Sequence, residues 1–403
     1  MTILIVGGGH AAGQAAASLR QEKYEGEILI IGEEPHIPYQ RPPLSKQYLS
    51  GEYGLDRVHL RPARFYDSKK IHVKSGVRVD SIDPSRRRVA CDDGTEISYD
   101  KLLLATGARP RKLAATGSDL PGIHYLRTIA DVDAIKRDFQ PGRRVAIVGG
   151  GYIGLEVAAI AIHAGLAVTV LEMEDRVLKR VTTPTMSAFY HDIHTEQGVE
   201  VRTGMRARSF AGSNRLTGVV CATGEVVPAD LAVVGIGIQP NVELAQAAGL
   251  DCNDGIVVDE FTRTSDPNIF AAGDCTNHPN ALLGRRLRLE SVPNAMEQSR
   301  VAAANLADNP RTYANVPWFW SHQYDLKLQM VGFSTEAERQ VVRGDPAMRQ
   351  FAIFYFQGDT LAAADAVNSA REFMAARQLV GKRVDPRQLD DPGVDLKDVL
   401  PAA

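Results

Sequence analysis

Two glycine runs and one lysine carry the chemistry that this sequence could perform. In ILIVGGGHAAGQAAASL (residues 3–19) four apolar residues, Ile3 to Val6, lead into Gly7-x-Gly9-x-x-Ala12 and then a small-residue stretch to about Arg20. The pattern predicts strand, tight turn and helix. Gly7 permits the turn, Gly9 lets backbone approach a pyrophosphate, and Ala12 lets the helix pack close to the strand. The leading N–H groups and dipole of such a helix favour phosphate. A second strand, EILIIG, ends at Glu33, 24 residues past Gly9, where an acid grips a ribose 2′-hydroxyl, with Glu34 as competitor.

The unit recurs at residues 144–172. RVAIV leads into Gly149-x-Gly151-x-x-Gly154, a helix is predicted from Tyr152 to His163, and AVTVLE ends at Glu172, 21 residues past Gly151. A carboxylate there accepts from a free 2′-hydroxyl and repels a 2′-phosphate, so NADH is expected over NADPH. Arg176 is the basic residue near enough to soften that preference. Two complete units imply two dinucleotides and a hydride passed between them. FAD with NADH makes an adaptor from a two-electron donor to single-electron delivery.

Two more stretches fit this reading. YDKLLLATGARPR (99–111) is an apolar strand stopped by Ala105, Thr106 and Gly107, small residues that let the chain cross near the nucleotide, although a plain turn reads equally simply. TSDPNIFAAGDC (264–275) places Asp274 after a strand, where it could meet the ribityl hydroxyls of FAD or merely cap a helix. Lys46 follows two prolines and a leucine, a rigid approach that could aim its ammonium at the flavin, or leave it on the surface. Glu156 lies among Leu155, Val157, Ala158 and Ala159. A buried carboxylate needs a partner or a function.

The elements that hold these residues belong to a chain of 403 residues, long enough for two or three cores. A net charge of −3 excludes general attraction to nucleic acid or anionic lipid and sets no oligomeric state. The most apolar region, about 145–171, is interrupted by five glycines, Glu156 and His163, so it reads as a βαβ unit and not as a membrane span. The opening residues read as a strand and not as an export signal, so a cytoplasmic protein is expected. Cys91, Cys221, Cys252 and Cys275 lie far apart, as suits a reducing compartment. His191, His194 and Glu196 read as a solvated helix face, and no metal is expected.

In their order, the two glycine turns, the ATG strand and the GDC strand resemble the flavoprotein disulfide-reductase superfamily. Its redox-active members carry cysteine in the segment after the FAD acid, whereas here that segment reads EEPHIPYQRPPLSKQYL. PYQRPPLSK (38–46), LESVPNAMEQ (289–298) and VPWFWSHQYDLKLQMVG (316–332) are similar instead to the bacterial oxygenase-coupled ferredoxin reductases, the reductases of aromatic-ring dioxygenases among them. The likeness spans the whole chain. It implies an α/β protein with two Rossmann-like domains, an FAD domain of residues 1–109 and 240–317 and an NAD domain of 110–239, followed by a small α+β domain of 318–403. LKLQMVGF, QFAIFYF and TLAAADAVN read as strands of that third domain, SAREFMAARQLV as its helix, and the tail from Asp385 as polar and proline-punctuated.

The resemblance also implies roles. Lys46 would sit beside flavin N5 and pair with Glu156. Arg41 and Pro43 would line the flavin pocket, Arg109 would reach FAD phosphate or ribose, Val292 would offer backbone to the ring, and Glu290 would line the nicotinamide site. Trp320 would lie at the flavin's exposed edge, although Trp318-Phe319-Trp320 serves equally as core. Ferredoxins of this group are acidic, so Arg285, Arg286, Arg288, Arg300 and Lys327 are expected to dock a [2Fe–2S] ferredoxin. A rubredoxin or monodehydroascorbate reductase, or an NADH-sensing flavoprotein resembling apoptosis-inducing factor, remain alternatives.

Overall fold

Residues 1–335 and 337–399 are described by the computed structural model of the chain. They divide into two compact units, one of Met1–Arg41, Tyr53–Arg109 and Ile238–Pro317, the other of Pro42–Glu52, Pro110–Gly237 and the chain from Trp318.

The first unit is built on a five-stranded parallel sheet in the order Ile269–Ala271, Lys101–Leu104, Thr2–Val6, Glu27–Gly32, Ile71–Ser75. Its central strand is apolar on both sides because both faces are covered, as a parallel sheet requires. Ile3 and Ile5 pack with Ala12, Ala15, Ala16 and Leu19 of the helix His10–Gln21 and with Ala302 and Ala303 of the helix Val292–Leu306. Leu4 and Val6 face the opposite core with Val89, Leu102, Leu104 and Ile256. The alanines of the first helix are what bring two helices close to one face. Arg87 has a φ of 51° in the turn joining Val79–Asp83 to Arg88–Cys91, a hairpin that carries three successive arginines, Arg86, Arg87 and Arg88.

In the second unit a five-stranded parallel sheet runs Glu200–Arg202, Ala167–Leu171, Arg144–Val148, Leu231–Val234, Ile123–Tyr125. The helix Tyr152–His163 follows its central strand. Beyond Pro317 comes an antiparallel sheet in the order Trp318–Gln323, Leu326–Gly332, Thr360–Val367, Gln350–Gln357, Arg339–Asp345, with the helix Ala370–Leu379 packed on it. The three strands read from alternation form its interior. The two edge strands went unread, since an edge strand need not bury one whole face and so keeps aromatic or charged residues throughout.

Two further differences have clear causes. Pro42–Glu52, inside the span expected to hold FAD, packs in the second unit: Tyr48 Oη donates to Asp133 Oδ1 at 2.9 Å and Lys136 Nζ lies 4.2 Å from the Tyr48 ring centre. The polar tail folds into short helices, Pro386–Asp390 and Leu396–Val399, that bury Leu389 and Leu396. Buried Arg343 pins it by donating to the carbonyls of Asp391 at 2.7 Å and Val394 at 2.9 Å.

A buried carboxyl gives this unit a pH dependence. Asp365 accepts from Thr182 Oγ1 at 2.8 Å and Tyr355 Oη at 3.0 Å. Burial raises its pKa from 3.8 to about 6, against the opposing pull of those two donors. Because the folded value exceeds the unfolded one, the folded state holds the proton more tightly. The stabilisation is therefore complete below the unfolded value and is lost as pH rises through the folded one. Asp365→Asn is expected to flatten the decline in denaturant midpoint between about pH 4 and about pH 6. An unchanged slope would place the titrating group elsewhere.

Candidate functional site

In the first unit the expected nucleotide residues gather at the carboxyl ends of parallel strands, the edge where open α/β sheets bind ligands. Gly7 leaves the central strand with φ 130°, and a Cβ there would lie 2.1 Å from the carbonyl oxygen of Ala105. Its N–H donates to Ile31 O and that of Ala105 to Val6 O, both at 2.8 Å, so the turn is held from two neighbouring strands. Gly9 caps the helix His10–Gln21 without a side-chain bond, and a Cβ on it would meet nothing within 4 Å. Open space over uncapped N–H groups fits a pyrophosphate. Ala12 is fully buried.

Glu33 is exposed just past the strand Glu27–Gly32. Its competitor Glu34 is engaged by Tyr39 Oη at 2.6 Å and Arg41 Nη2 at 2.7 Å, which also fixes Arg41. Thr106 and Asn241 exchange bonds, Thr106 Oγ1 donating to Asn241 O at 2.7 Å and Asn241 Nδ2 to Thr106 O at 2.9 Å. Thus the Ala105–Gly107 turn is stitched to the returning chain, a role its sequence did not disclose. Asp274 follows Gly273, whose φ is 90°, and leads into the strand Thr276–Asn280, so it caps no helix. Val292 begins the helix Val292–Leu306, where Ser291 Oγ accepts from Asn294 N–H at 3.2 Å.

Several expected contacts are otherwise engaged. Arg109 is paired with Glu243 at 2.5 Å and donates to Asn241 Oδ1 at 2.7 Å, so its charge is matched without a phosphate. Glu290 accepts from Arg288 at 2.6 Å, and Arg288 also meets Asp254 at 3.2 Å. Arg286 turns its guanidinium onto the carbonyls of Val258 and Asn277. Two of the three clustered arginines thus serve the local fold, because carbonyls and carboxylates lie within reach of the strand Arg285–Leu287. Arg285 and Arg300 are exposed.

The second unit repeats the nucleotide geometry. Gly149 has φ 109°, and a Cβ there would lie 2.4 Å from Gly235 O, while one on Gly154 would lie 2.2 Å from Gly149 O. Gly151 caps the helix Tyr152–His163 with no side-chain bond and open space within 4 Å of a Cβ. Glu172 Oε2 accepts the N–H of Gly150 at 2.6 Å and Oε1 that of Glu174 at 2.9 Å, which sets the acid against the glycine turn. Arg176 is turned inward, donating to Thr182 O at 3.0 Å and Ser187 Oγ at 2.5 Å. Those bonds account for its placement.

Lys46 and Glu156 meet in this unit. Nζ lies 2.5 Å from Oε2, the lysine 12 % and the glutamate 2 % exposed. Pro43 is buried in the turn Pro42–Ser45 that delivers the lysine. Two residues missed in the sequence complete the carboxylate's shell: Ser45 Oγ donates to Oε2 at 2.5 Å and Ser321 Oγ to Oε1 at 2.6 Å. A serine amid the aromatics of the strand Trp318–Gln323 was the available signal. Strand alternation puts Trp318 and Trp320 on the other face. Their rings lie 5.5 Å apart, and Trp318 also meets Phe373 at 5.7 Å and Arg377 at 5.2 Å. Trp320 is half-buried, and Lys327 on the next strand is exposed.

The solvated face expected at His191, His194 and Glu196 is corrected at His194. Glu196 is exposed and pairs with Arg349 at 2.8 Å and His191 is partly exposed, but His194 is fully buried, bonded through both ring nitrogens, with burial lowering its pKa to about 4. Among the described residues no group of three or more His, Cys, Asp or Glu could hold a metal ion.

Fold and sites define an oxidoreductase with two dinucleotide-binding folds. The chain belongs to the pyridine nucleotide-disulphide oxidoreductase family, whose profile matches residues 1–299, with a reductase C-terminal domain matched at 318–400. It is 44% identical to putidaredoxin reductase of Pseudomonas putida over 410 residues, covering 100% of this chain and 97% of that one. It is 46% identical over 400 residues to the ferredoxin–NAD(+) reductase component of the anthranilate 1,2-dioxygenase system of Burkholderia cepacia, covering 98% of each. The reductase in the covalent putidaredoxin reductase–putidaredoxin complex superposes with a TM-score of 0.95 at 43% identity, covering 99% of this chain and 97% of that one.

Proposed function

We propose that this protein oxidises NADH through FAD and delivers electrons singly to a [2Fe–2S] ferredoxin that serves a cytochrome P450 or a ring-hydroxylating oxygenase. One observation carries the reading: each unit has its own glycine turn opening onto an uncapped helix N-terminus, and the segment after Glu33 carries no cysteine. FAD, when bound, supplies acceptance of a hydride and release of single electrons. Cys91, Cys221 and Cys275 are buried and Cys252 half-buried, with burial raising all four thiol pKa values, the reverse of a redox-active thiolate.

In this reading residues 1–109 and 240–317 hold FAD through Gly7, Gly9, Glu33 and Asp274. Residues 110–239 hold NADH through Gly149, Gly151, Gly154 and Glu172, and the Lys46–Glu156 pair positions the nicotinamide. Trp320 and the C-terminal domain of 318–403 belong to the exit side. Docking of an acidic ferredoxin falls to Arg285, Arg286, Arg288, Arg300 and Lys327. Among the described residues no helix is long and apolar enough to cross a membrane, and the reading places the enzyme in the cytoplasm.

The test is an acceptor panel. Purified protein with NADH is expected to reduce a [2Fe–2S] ferredoxin faster than it reduces oxygen, rubredoxin or monodehydroascorbate. A long-lived NADH complex that discharges to none of them, with a change of oligomeric state, would replace the reductase by a sensor. Coenzyme choice has its own check. Glu172→Gln with Met173→Arg, the latter at a side chain 59% exposed, is expected to lower the NADH-to-NADPH ratio of kcat/KM on the order of tenfold. An unmoved ratio puts the ribose contact elsewhere.

A further inference from the structure

Glu156 is the terminus of a longer line of side chains, all within the second unit. Ser321 Oγ donates to Glu156 Oε1 at 2.6 Å, Gln323 Nε2 to Ser321 Oγ at 3.2 Å, His194 Nε2 meets Gln323 Oε1 at 2.8 Å, and Tyr324 Oη meets His194 Nδ1 at 2.9 Å. Glu156 is 2% exposed, Gln323 2%, and His194 and Ser321 are fully buried.

Donor counting fixes the direction of every bond. A carboxylate paired with lysine only accepts, so the single hydrogen of Ser321 goes to Glu156. Ser321 Oγ must then accept, which orients the Gln323 amide nitrogen toward it and the amide oxygen toward His194. Consequently His194 carries its proton on Nε2. A neutral ring leaves Nδ1 bare, and Tyr324 must donate to it. Burial lowers the imidazole pKa to about 4, which keeps the ring neutral near neutrality. The amide in the middle passes no proton along, so the line sets orientation and charge.

A second observation marks the far end. Tyr324 stands in the two-residue turn between the strands Trp318–Gln323 and Leu326–Gly332 with φ 55°. Such turns favour Gly, Asn or Asp, and a bulky aromatic there is strained. The hydroxyl's bond to His194 gives that residue a reason to be there.

We propose that Tyr324, His194, Gln323 and Ser321 form a one-way chain of hydrogen-bond donors that holds the Glu156 carboxylate in place, making Gln323 and His194 positioning residues for the Lys46–Glu156 pair. The proposal rests on the role given to that pair above.

Single-turnover reduction of the bound flavin by NADH is measured in the holoenzyme, in Gln323→Leu, in Glu156→Gln and in the double variant. Gln323→Leu is expected to slow the step on the order of tenfold with NADH affinity held, and to add nothing once Glu156 is Gln. Tyr324→Phe should act in the same direction with smaller size. Nitrogen-15 NMR of the parent is expected to show His194 protonated at Nε2 and bare at Nδ1 at about pH 7. Equal slowing by Gln323→Leu in both backgrounds overturns the positioning role, and a ring protonated at Nδ1 overturns the chain itself. If Glu156→Gln reduces its flavin as fast as the parent, the role given to the pair fails instead, and with it the catalytic half of the proposal. The donor chain is then decided by the His194 spectrum alone.

Discussion

Gly151→Val is expected to give a folded, yellow protein that NADH no longer reduces effectively, with KM raised at least about a hundredfold. Gly151 has φ −80° and ψ 175°, extended backbone that valine adopts readily, and the new Cβ meets no atom within 4 Å. Neither the backbone nor the added Cβ meets an obstacle in the fold. The occupied volume is the space over the uncapped N-terminus of Tyr152–His163, where the proposed reading puts the pyrophosphate. Losing two charge-assisted N–H bonds of about 1.5–3 kcal/mol each corresponds to at least that factor in affinity. Gly9→Val is the twin experiment and should yield a stable but colourless protein. Gly149→Ala is the contrast: φ is 109° and the added carbon would lie 2.4 Å from Gly235 O, so the fold itself should suffer. Visible absorbance, melting temperature and NADH titration distinguish the three. A Gly151→Val protein with the parent's KM would show that the dinucleotide lies elsewhere.

Lys46→Met should lower stability by about 3 kcal/mol and slow flavin reduction as well. The lysine's partner is 2% exposed, and removing one member of a buried pair leaves an uncompensated charge. Ser45 and Ser321 still donate to the carboxylate, which sets the loss at the lower end of that range. Adding Glu156→Gln removes the stranded charge, so the double variant should regain much of the stability while remaining slow. Denaturant midpoints and stopped-flow flavin reduction separate these effects. A Lys46→Met protein as stable as the parent would mean that water reaches Glu156 and the pair is not a buried one.

The two nucleotide units were legible because their constraints are local. A tight turn, an uncapped helix start and a close helix–strand approach each favour small residues at fixed spacing: Gly7, Gly149 and Gly154 stand where a Cβ would strike backbone, Ala12 where the helix packs on its strand, and Gly9 and Gly151 where open space faces the helix start. Long apolar strands of parallel sheets were equally plain, as in RVAIV and EILIIG. Edge strands were not, because Arg339–Asp345 carries charge along its length. Long-range polar partners were also hidden. Glu156 and Ser321 are 165 residues apart, and His194 and Gln323 129 apart. His194 sat on a helix whose polar residues suggested solvent, yet the neighbouring antiparallel sheet covers it. Arg109, Arg176, Arg286 and Arg288 taught the converse, since a guanidinium binds whatever carbonyl or carboxylate the fold brings within reach.

Taken alone, the sequence determined the repeated strand–turn–helix units, the acids that follow them, the absence of a paired-cysteine relay, and thereby a protein that handles two dinucleotides. Tertiary structure decided which partners the charged groups take, and brought Glu156 and its shell together from three separate segments. The physical reason is range: backbone conformation and small-residue packing are set within one turn of helix or strand, whereas the pairing of a buried charge depends on side chains that meet only after the chain has folded.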